Sequence, residues 1–338
     1  MKKFYQKNRK RAFSLIELSI VIIIVSILIT GALSVSVNSI NNSKNKVTRD
    51  RIAEIYKALG NYMVTNKKLP CPAPLTDTKS GSTTYGTAAS TSLCASTTGV
   101  SQSGSSSNLV RGMIPIKTLG LPLDMAEDGF GSKFEYIVDK NYTVASSGTT
   151  PSSGAGDFGT SSTASILIYE KVGSSAVQLT TVSGTDSSNN NNAAVFAIIS
   201  FGGNKSGAYG NDATSRNALS TDTEEASNSP TSTSDDTTYT STLYASSGNS
   251  DVFDDVVFYK SRNSFVSDFN ALSVIPCLAM TESLYGGTIN WPLSWYDQIA
   301  VATSPTCSSL GYTSGPAEPT KRCGAYGVWD VVINPCQQ

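Results

Sequence analysis

Hydrophobic and polar positions fall into distinct regimes along this chain. Residues 18–37 read LSIVIIIVSILITGALSVSV without a formal charge, a run long enough to cross roughly 30 Å of hydrocarbon as a helix. Beyond it Ile52, Ile55, Tyr56, Leu59, Tyr62 and Met63 recur at helical spacing, with Arg49, Asp50, Arg51, Glu54 and Lys57 at the other positions. This pattern predicts an amphipathic helix continuing from the apolar run. The first proline is Pro70, so one helix over 13–66 is allowed, roughly 80 Å long at 1.5 Å per residue. Gly31 and Gly60 are its weak points, because Gly costs about 1 kcal/mol relative to Ala in a helix. Gly31 equally suits close packing of membrane helices.

Leu69-Pro70-Cys71-Pro72-Ala73-Pro74 ends the helix. Short apolar runs at 134–138, 165–169, 177–182, 194–201 and 255–259 then have strand character. Tracts of small polar residues at 76–108, 145–165, 183–192 and 204–250 separate them and read as loops. The expected class is α+β: a long N-terminal helix, membrane-spanning over 13–37, packed on an antiparallel sheet. The expected organisation is a basic segment at 1–12, the helix at 13–66, a β-rich body at 67–268 and a Cys- and Trp-rich module at 269–338.

Composition narrows the chemistry. The 338 residues include no His, and only 15% are charged. Absence of His removes Ser-His and Cys-His nucleophile pairs, His metal ligands and imidazole pH switches. Lys2, Lys3, Lys7, Arg9, Lys10 and Arg11 stand in the first twelve residues without an acid, which leaves the rest of the chain acidic. An acidic body argues against nucleic acid as a partner. The adjacent acids Glu224-Glu225 and Asp235-Asp236 lie in a polar loop with no nucleophile beside them, so no enzyme is expected. Basic residues before the apolar run place the N-terminus in the cytoplasm and the body outside, where six Cys are able to form disulfides.

The anomaly in the apolar run is Glu17. A buried carboxylate costs up to about 2.5–3.5 kcal/mol at a membrane-helix centre and needs a partner. A cleaved secretory signal, with small residues at Ala32-Leu33-Ser34, and a plain single-span anchor both leave it unexplained. Lys10-Arg11-Ala12-Phe13-Ser14-Leu15-Ile16-Glu17 resembles the prepilin leader of type IV pilins and type II secretion pseudopilins. That family has a short basic leader, a cut before Phe, and a Glu at the fifth mature position. It usually carries Gly where this chain has Ala12. The resemblance implies cleavage by a prepilin peptidase between Ala12 and Phe13 and methylation of the Phe13 amine. It also implies pairing of Glu17 with the Phe13 amine of a neighbouring subunit.

Residues 126–136, Ala-Glu-Asp-Gly-Phe-Gly-Ser-Lys-Phe-Glu-Tyr, are similar to the Asp-x-aromatic-Gly turn and aromatic strand of pseudopilin globular domains. The physical reading is a tight turn with Phe130 anchored on the core and Phe134 and Tyr136 on one side of the next strand. Gly202-Gly203-Asn204-Lys205-Ser206-Gly207 reads as a turn, since a phosphate loop needs Gly-Lys-Ser/Thr opening a helix. Asp251, Asp254 and Asp255 abut a strand and offer oxygen ligands to a hard cation such as calcium. The resemblance adds to this, because the major pseudopilin of type II secretion carries a loop calcium near an Asp-rich strand entrance. Turn capping is the competing reading.

The C-terminal region holds Cys277, Cys307, Cys323 and Cys336 with all three tryptophans. Six Cys, counting Cys71 and Cys94, allow fifteen connectivities. No Cys-x-x-Cys pair favours zinc. Residues 306–336 are similar to the second half of a sushi module, which implies Cys277–Cys323 and Cys307–Cys336 and leaves Cys71–Cys94.

The resemblance implies a structural subunit of a type IV pilus or secretion pseudopilus, stored in the inner membrane and passed to other subunits by an assembly platform. The large body favours a minor or tip position. The alternative is a membrane-anchored adhesin that binds a surface ligand through its Cys-rich module.

Overall fold

The computed structural model describes residues 14–89, 94, 101–102, 109–143, 166–172, 175–180, 193–229, 238–242, 253–270, 277, 279–324 and 328–337. Helix α1 runs Leu15–Asn66. It ends where Lys67 turns left-handed at φ 59°, ahead of the prolines. The chain divides into residues 1–46 and 47–338.

In the first unit the side chains described in the apolar run are those of residues 14–27, and Leu15, Ile16, Leu18 and Ile20–Val25 are exposed. Its hydroxyls are satisfied within the helix: Ser19 donates to the Ile16 carbonyl at 2.8 Å and Ser26 to that of Ile22 at 2.7 Å. Among the described residues no helix is long and apolar enough to cross a membrane. The expected span at 13–37 extends past residue 27, the last described side chain of the apolar run.

In the second unit Ile52, Ile55, Leu59 and Met63 are buried on one face of α1, each contributing about 1.5–3 kcal/mol. They pack on a five-stranded antiparallel sheet of β1 (Ser101–Gln102), β2 (Leu109–Met113), β3 (Glu135–Asp139), β6 (Ala194–Ser200) and β8 (Val256–Ser261), in the order β1-β2-β3-β6-β8. Strand alternation explains the two-sided burial. Tyr136, Val138, Phe196 and Ile198 join the core that contains the helix residues, while Ile137, Ile199 and Phe201 join a second cluster. With both sides covered, β6 is a continuous buried apolar run.

The strands expected at 165–169 and 177–182 do not enter this sheet. They are β4 (Leu167–Val172) and β5 (Ser175–Gln178), which join β7 (Thr238–Thr242) in a separate sheet whose β4–β7 pair is parallel. The reason lies in Ile166 and Ile168, which belong to the second cluster and cover the main sheet from outside. The vacated place goes to β2, whose apolar pattern is broken by Arg111 and Gly112.

After β8, α3 (Arg262–Asp268) returns to α1. The C-terminal part contains the hairpin β9 (Met280–Leu284) and β10 (Gly287–Trp291). A three-stranded sheet follows: β11 (Ile299–Val301), β12 (Thr320–Cys323) and β13 (Trp329–Asn334). Its small core is Ile289, Trp291 and Ala302. The structure joins Cys71 to Cys94, Cys277 to Cys323 and Cys307 to Cys336, the pairs that the sushi resemblance implies.

Candidate functional site

The turn after residue 126 is a joint between three elements. Asp128 Oδ1 accepts from the Phe130 and Ser132 N–H groups at 2.9 Å each, and Oδ2 from the Ser200 hydroxyl at 2.6 Å. The Thr48 hydroxyl accepts from Gly129 N–H at 2.9 Å, and Arg51 donates to the Glu127 carbonyl at 2.8 Å. Burial pushes the Asp128 carboxyl above the usual carboxylate range, opposed by the Ser200 and backbone donors. Phe130 is half-buried, with its ring against Gly203.

From Phe201 the chain makes a long excursion and returns at β8. Gly202 turns it with φ 57°, and a Cβ there would meet Asp254 Oδ1 at 2.2 Å. Asp222 then caps α2 (Thr223–Ser227), accepting from the N–H groups of Glu224 and Glu225 at 3.0 Å each. The capped turn carries Glu225 into the protein, where it is 1% exposed.

Glu225 meets the acids at the entrance of β8. One carboxylate oxygen from each of Glu225, Asp254 and Asp255 lies within 4.8 Å of the others. Each carboxylate is held by one oxygen. Asp254 Oδ2 accepts from Gly203 and Asn204 N–H at 2.7 and 3.0 Å, Glu225 Oε1 from Asn204 Nδ2 at 2.5 Å, and Asp255 Oδ2 from Asn228 Nδ2 at 2.8 Å. The second oxygens, Asp254 Oδ1, Glu225 Oε2 and Asp255 Oδ1, are buried without a hydrogen-bond partner. Burial pushes Asp254 up to about 6 against its two backbone donors, and the neighbouring Glu225 adds to the rise. Burial likewise pushes Asp255 well above its ordinary value. Three carboxylates with spare oxygens fit a hard cation. Asp251, the third acid expected there, lies outside the described residues.

The cluster connects to a buried ion network. Arg111 donates to the Asn228 carbonyl at 2.7 Å and pairs through Nε with Glu135 at 2.5 Å. Arg216 pairs with the same Glu135 oxygen at 2.9 Å. Sequence reasoning missed Arg111, Glu135, Arg216 and Glu225. The available signal for Glu225 was Asp222-Thr223-Glu224-Glu225, an acid placed three residues after a good helix cap.

At the other end of the chain Glu17 is exposed in the first turn of α1. Ala12 and Phe13 lie outside the described residues. Residues 7–33 match the family described as Prokaryotic N-terminal methylation motif. The chain carries that methylation motif. The match supports a type IV pilin-like or pseudopilin precursor and is compatible with membrane anchoring of the N-terminal segment. No curated protein and no solved structure matches the chain. The methylation motif contains Ala12, Phe13 and Glu17 within its matched residues.

Proposed function

We propose that the chain is a pilin-like structural subunit, minor or at the tip, of a type IV pilus or a type II secretion pseudopilus. The observation that carries this reading is the methylation motif at residues 7–33. It fits a precursor cut between Ala12 and Phe13 by a prepilin peptidase and held by residues 13–37 in the inner membrane. The N-terminus is then cytoplasmic and the body periplasmic. The exposed side chains of Leu15, Ile16, Leu18 and Ile20 through Val25 require cover, which lipid supplies before assembly and neighbouring helices supply afterwards. Glu17 enters that packing against the Phe13 amine of the next subunit, so that neither charge is left unpaired. The body at 67–338 is easier to accommodate at a filament end than on every turn of a helical array.

The test is immunogold labelling of filaments, or of overexpressed pseudopili, on the native host. Label at the ends or sparsely along the fibre supports the minor position. Continuous label along the fibre contradicts it.

A second reading, adhesion through the C-terminal module, is favoured by an open groove lined by Arg322, Trp329, Asp330, Val331 and Ile333, in which Val331 is 84% exposed. Deletion of residues 270–338 separates the two. Intact filaments without adhesion support this reading, and unchanged adhesion rejects it.

A further inference from the structure

The ladder between β12 and β13 slips twice. Thr320 pairs with Asn334, Lys321 with Val332 and Cys323 with Trp329, so β13 carries one extra residue in each interval. A regular strand turns alternate residues outward. Here Asp330, Val331, Ile333 and Asn334 are all exposed, and Trp329 and Val332 are half-buried. Bulges of this kind re-aim side chains at the expense of regular pairing, and these two turn Val331 and Ile333 into solvent. On the other side of β12, Ile299 and Val301 of β11 are exposed as well, and Ile299 pairs with Arg322. Aliphatic side chains thus flank Arg322 on both sides of one sheet face, and an exposed apolar face of this kind marks an interaction site.

The charges on that face indicate what covers it. Arg322 lies across from the bulged pair Asp330-Val331, because Lys321 and Cys323 on either side of it pair with Val332 and Trp329. Arg322 and Asp330 line the same open groove of about 560 Å³. Asp330 has no ion pair among the described residues, and Arg322 has a loose one to Asp297 at 3.5 Å, between side chains that are both at least half exposed. Such a surface pair holds its partners weakly. Opposite charges side by side on adjacent strands make the face self-complementary. A two-fold axis running along the strands between β12 and β13 sets Arg322 of each chain against Asp330 of the other.

We propose that the outer face of the β11-β12-β13 sheet pairs with the same face of a second copy of this chain, through reciprocal Arg322–Asp330 contacts that enclose Val331 and Ile333. A face with one sign of charge would repel its own copy, whereas this face offers each copy both signs. The inference goes beyond the filament reading, which needs only the N-terminal segment, and gives the C-terminal groove an occupant other than a surface ligand.

The experiment follows the mass of the full-length protein in detergent micelles by sedimentation over a range of concentrations. The expected result is a particle of two chains that falls to one on dilution. Arg322→Asp and Asp330→Arg each set like charges against one another. Each variant alone is expected to give one chain per particle, a twofold loss of protein mass, with an unchanged Tm. Mixed in equal amounts the two are expected to pair again, because each supplies the charge that the other's face then needs. A wild-type chain that stays single at every concentration overturns the proposal, and loss of adhesion in Arg322→Asp would then assign the face to a surface ligand. Pairing kept by both variants places the contact elsewhere, on the apolar part of α1, and also overturns it. Two single-chain variants that do not pair on mixing overturn the Arg322–Asp330 apposition. None of these outcomes bears on leader cleavage, so the filament reading stands or falls separately.

Discussion

Gly60 of α1 lies against the ring of Phe269, so closely that a Cβ on Gly60 would stand 2.1 Å from Phe269 Cζ. Phe269 in turn stacks edge-on with Tyr56 and Phe265 at centroid distances of 5.1 and 5.5 Å. Gly60→Ala should therefore destabilise the body, although Ala is the better helix former by about 1 kcal/mol. Overpacking costs about 1–3 kcal/mol, and the ring has the aromatic cluster behind it. Urea unfolding should show a lower midpoint with an unchanged slope. A higher midpoint would mean that the ring moves freely.

Glu135 is a carboxylate that pairs with both Arg111 and Arg216. Glu135→Ala removes the carboxylate that both guanidinium groups share, and breaking a buried pair costs about 3–5 kcal/mol. The expected outcome is loss of most folded protein at 37 °C. Glu135→Gln should retain more, since an amide oxygen still accepts. Equal behaviour of the two variants would show that the charge of Glu135 contributes nothing.

Without a cation, the acid cluster predicts an unusual dependence on pH. Asp254 is raised from 3.8 to about 6 in the fold, so between those values the folded state holds a proton that the unfolded state has released. Stability of chelator-treated protein should then fall as pH rises from about 4 to about 6. Asp254→Asn should flatten this decline. A wild-type stability that climbs through the window would contradict the placement of Asp254 in the cluster.

All three tryptophans lie in the disulfide-linked C-terminal part, where Ile289, Trp291 and Ala302 form a small buried cluster among the described residues. Loops of 46 and 29 residues are closed by Cys277–Cys323 and Cys307–Cys336, and losing a native disulfide from a small domain costs about 2–5 kcal/mol. Reduction should shift tryptophan emission to the red while α1 keeps its far-UV signal. Unchanged emission on full reduction would show that packing alone suffices.

The parts legible in the sequence are those with a strong local period. The helical spacing of Ile52, Ile55, Leu59 and Met63 gave the face that is buried, and the apolar run at 194–201 gave β6. Gly60 was misread as a weak point, because its use depends on Phe269 more than two hundred residues away. Strand β2 was hidden by Arg111, whose charge is matched only once Glu135 is its neighbour across the sheet. Glu225 was placed in an inert polar loop for the same reason: its partners, Asp254 and Asp255, become neighbours only when the excursion closes. Strand β7 lay in a tract of Thr and Ser, residues that suit both loops and strands. Site residues that depend on pairing across long sequence separations left no periodic signal to read.

The central claim is that the N-terminal segment is a processed leader. Intact mass and N-terminal sequencing of the protein purified from its own host's membranes test it directly. The account predicts a mature chain that begins at N-methylated Phe13. A chain that begins at Met1, or near Val35, would contradict it and remove the assembly role given to Glu17.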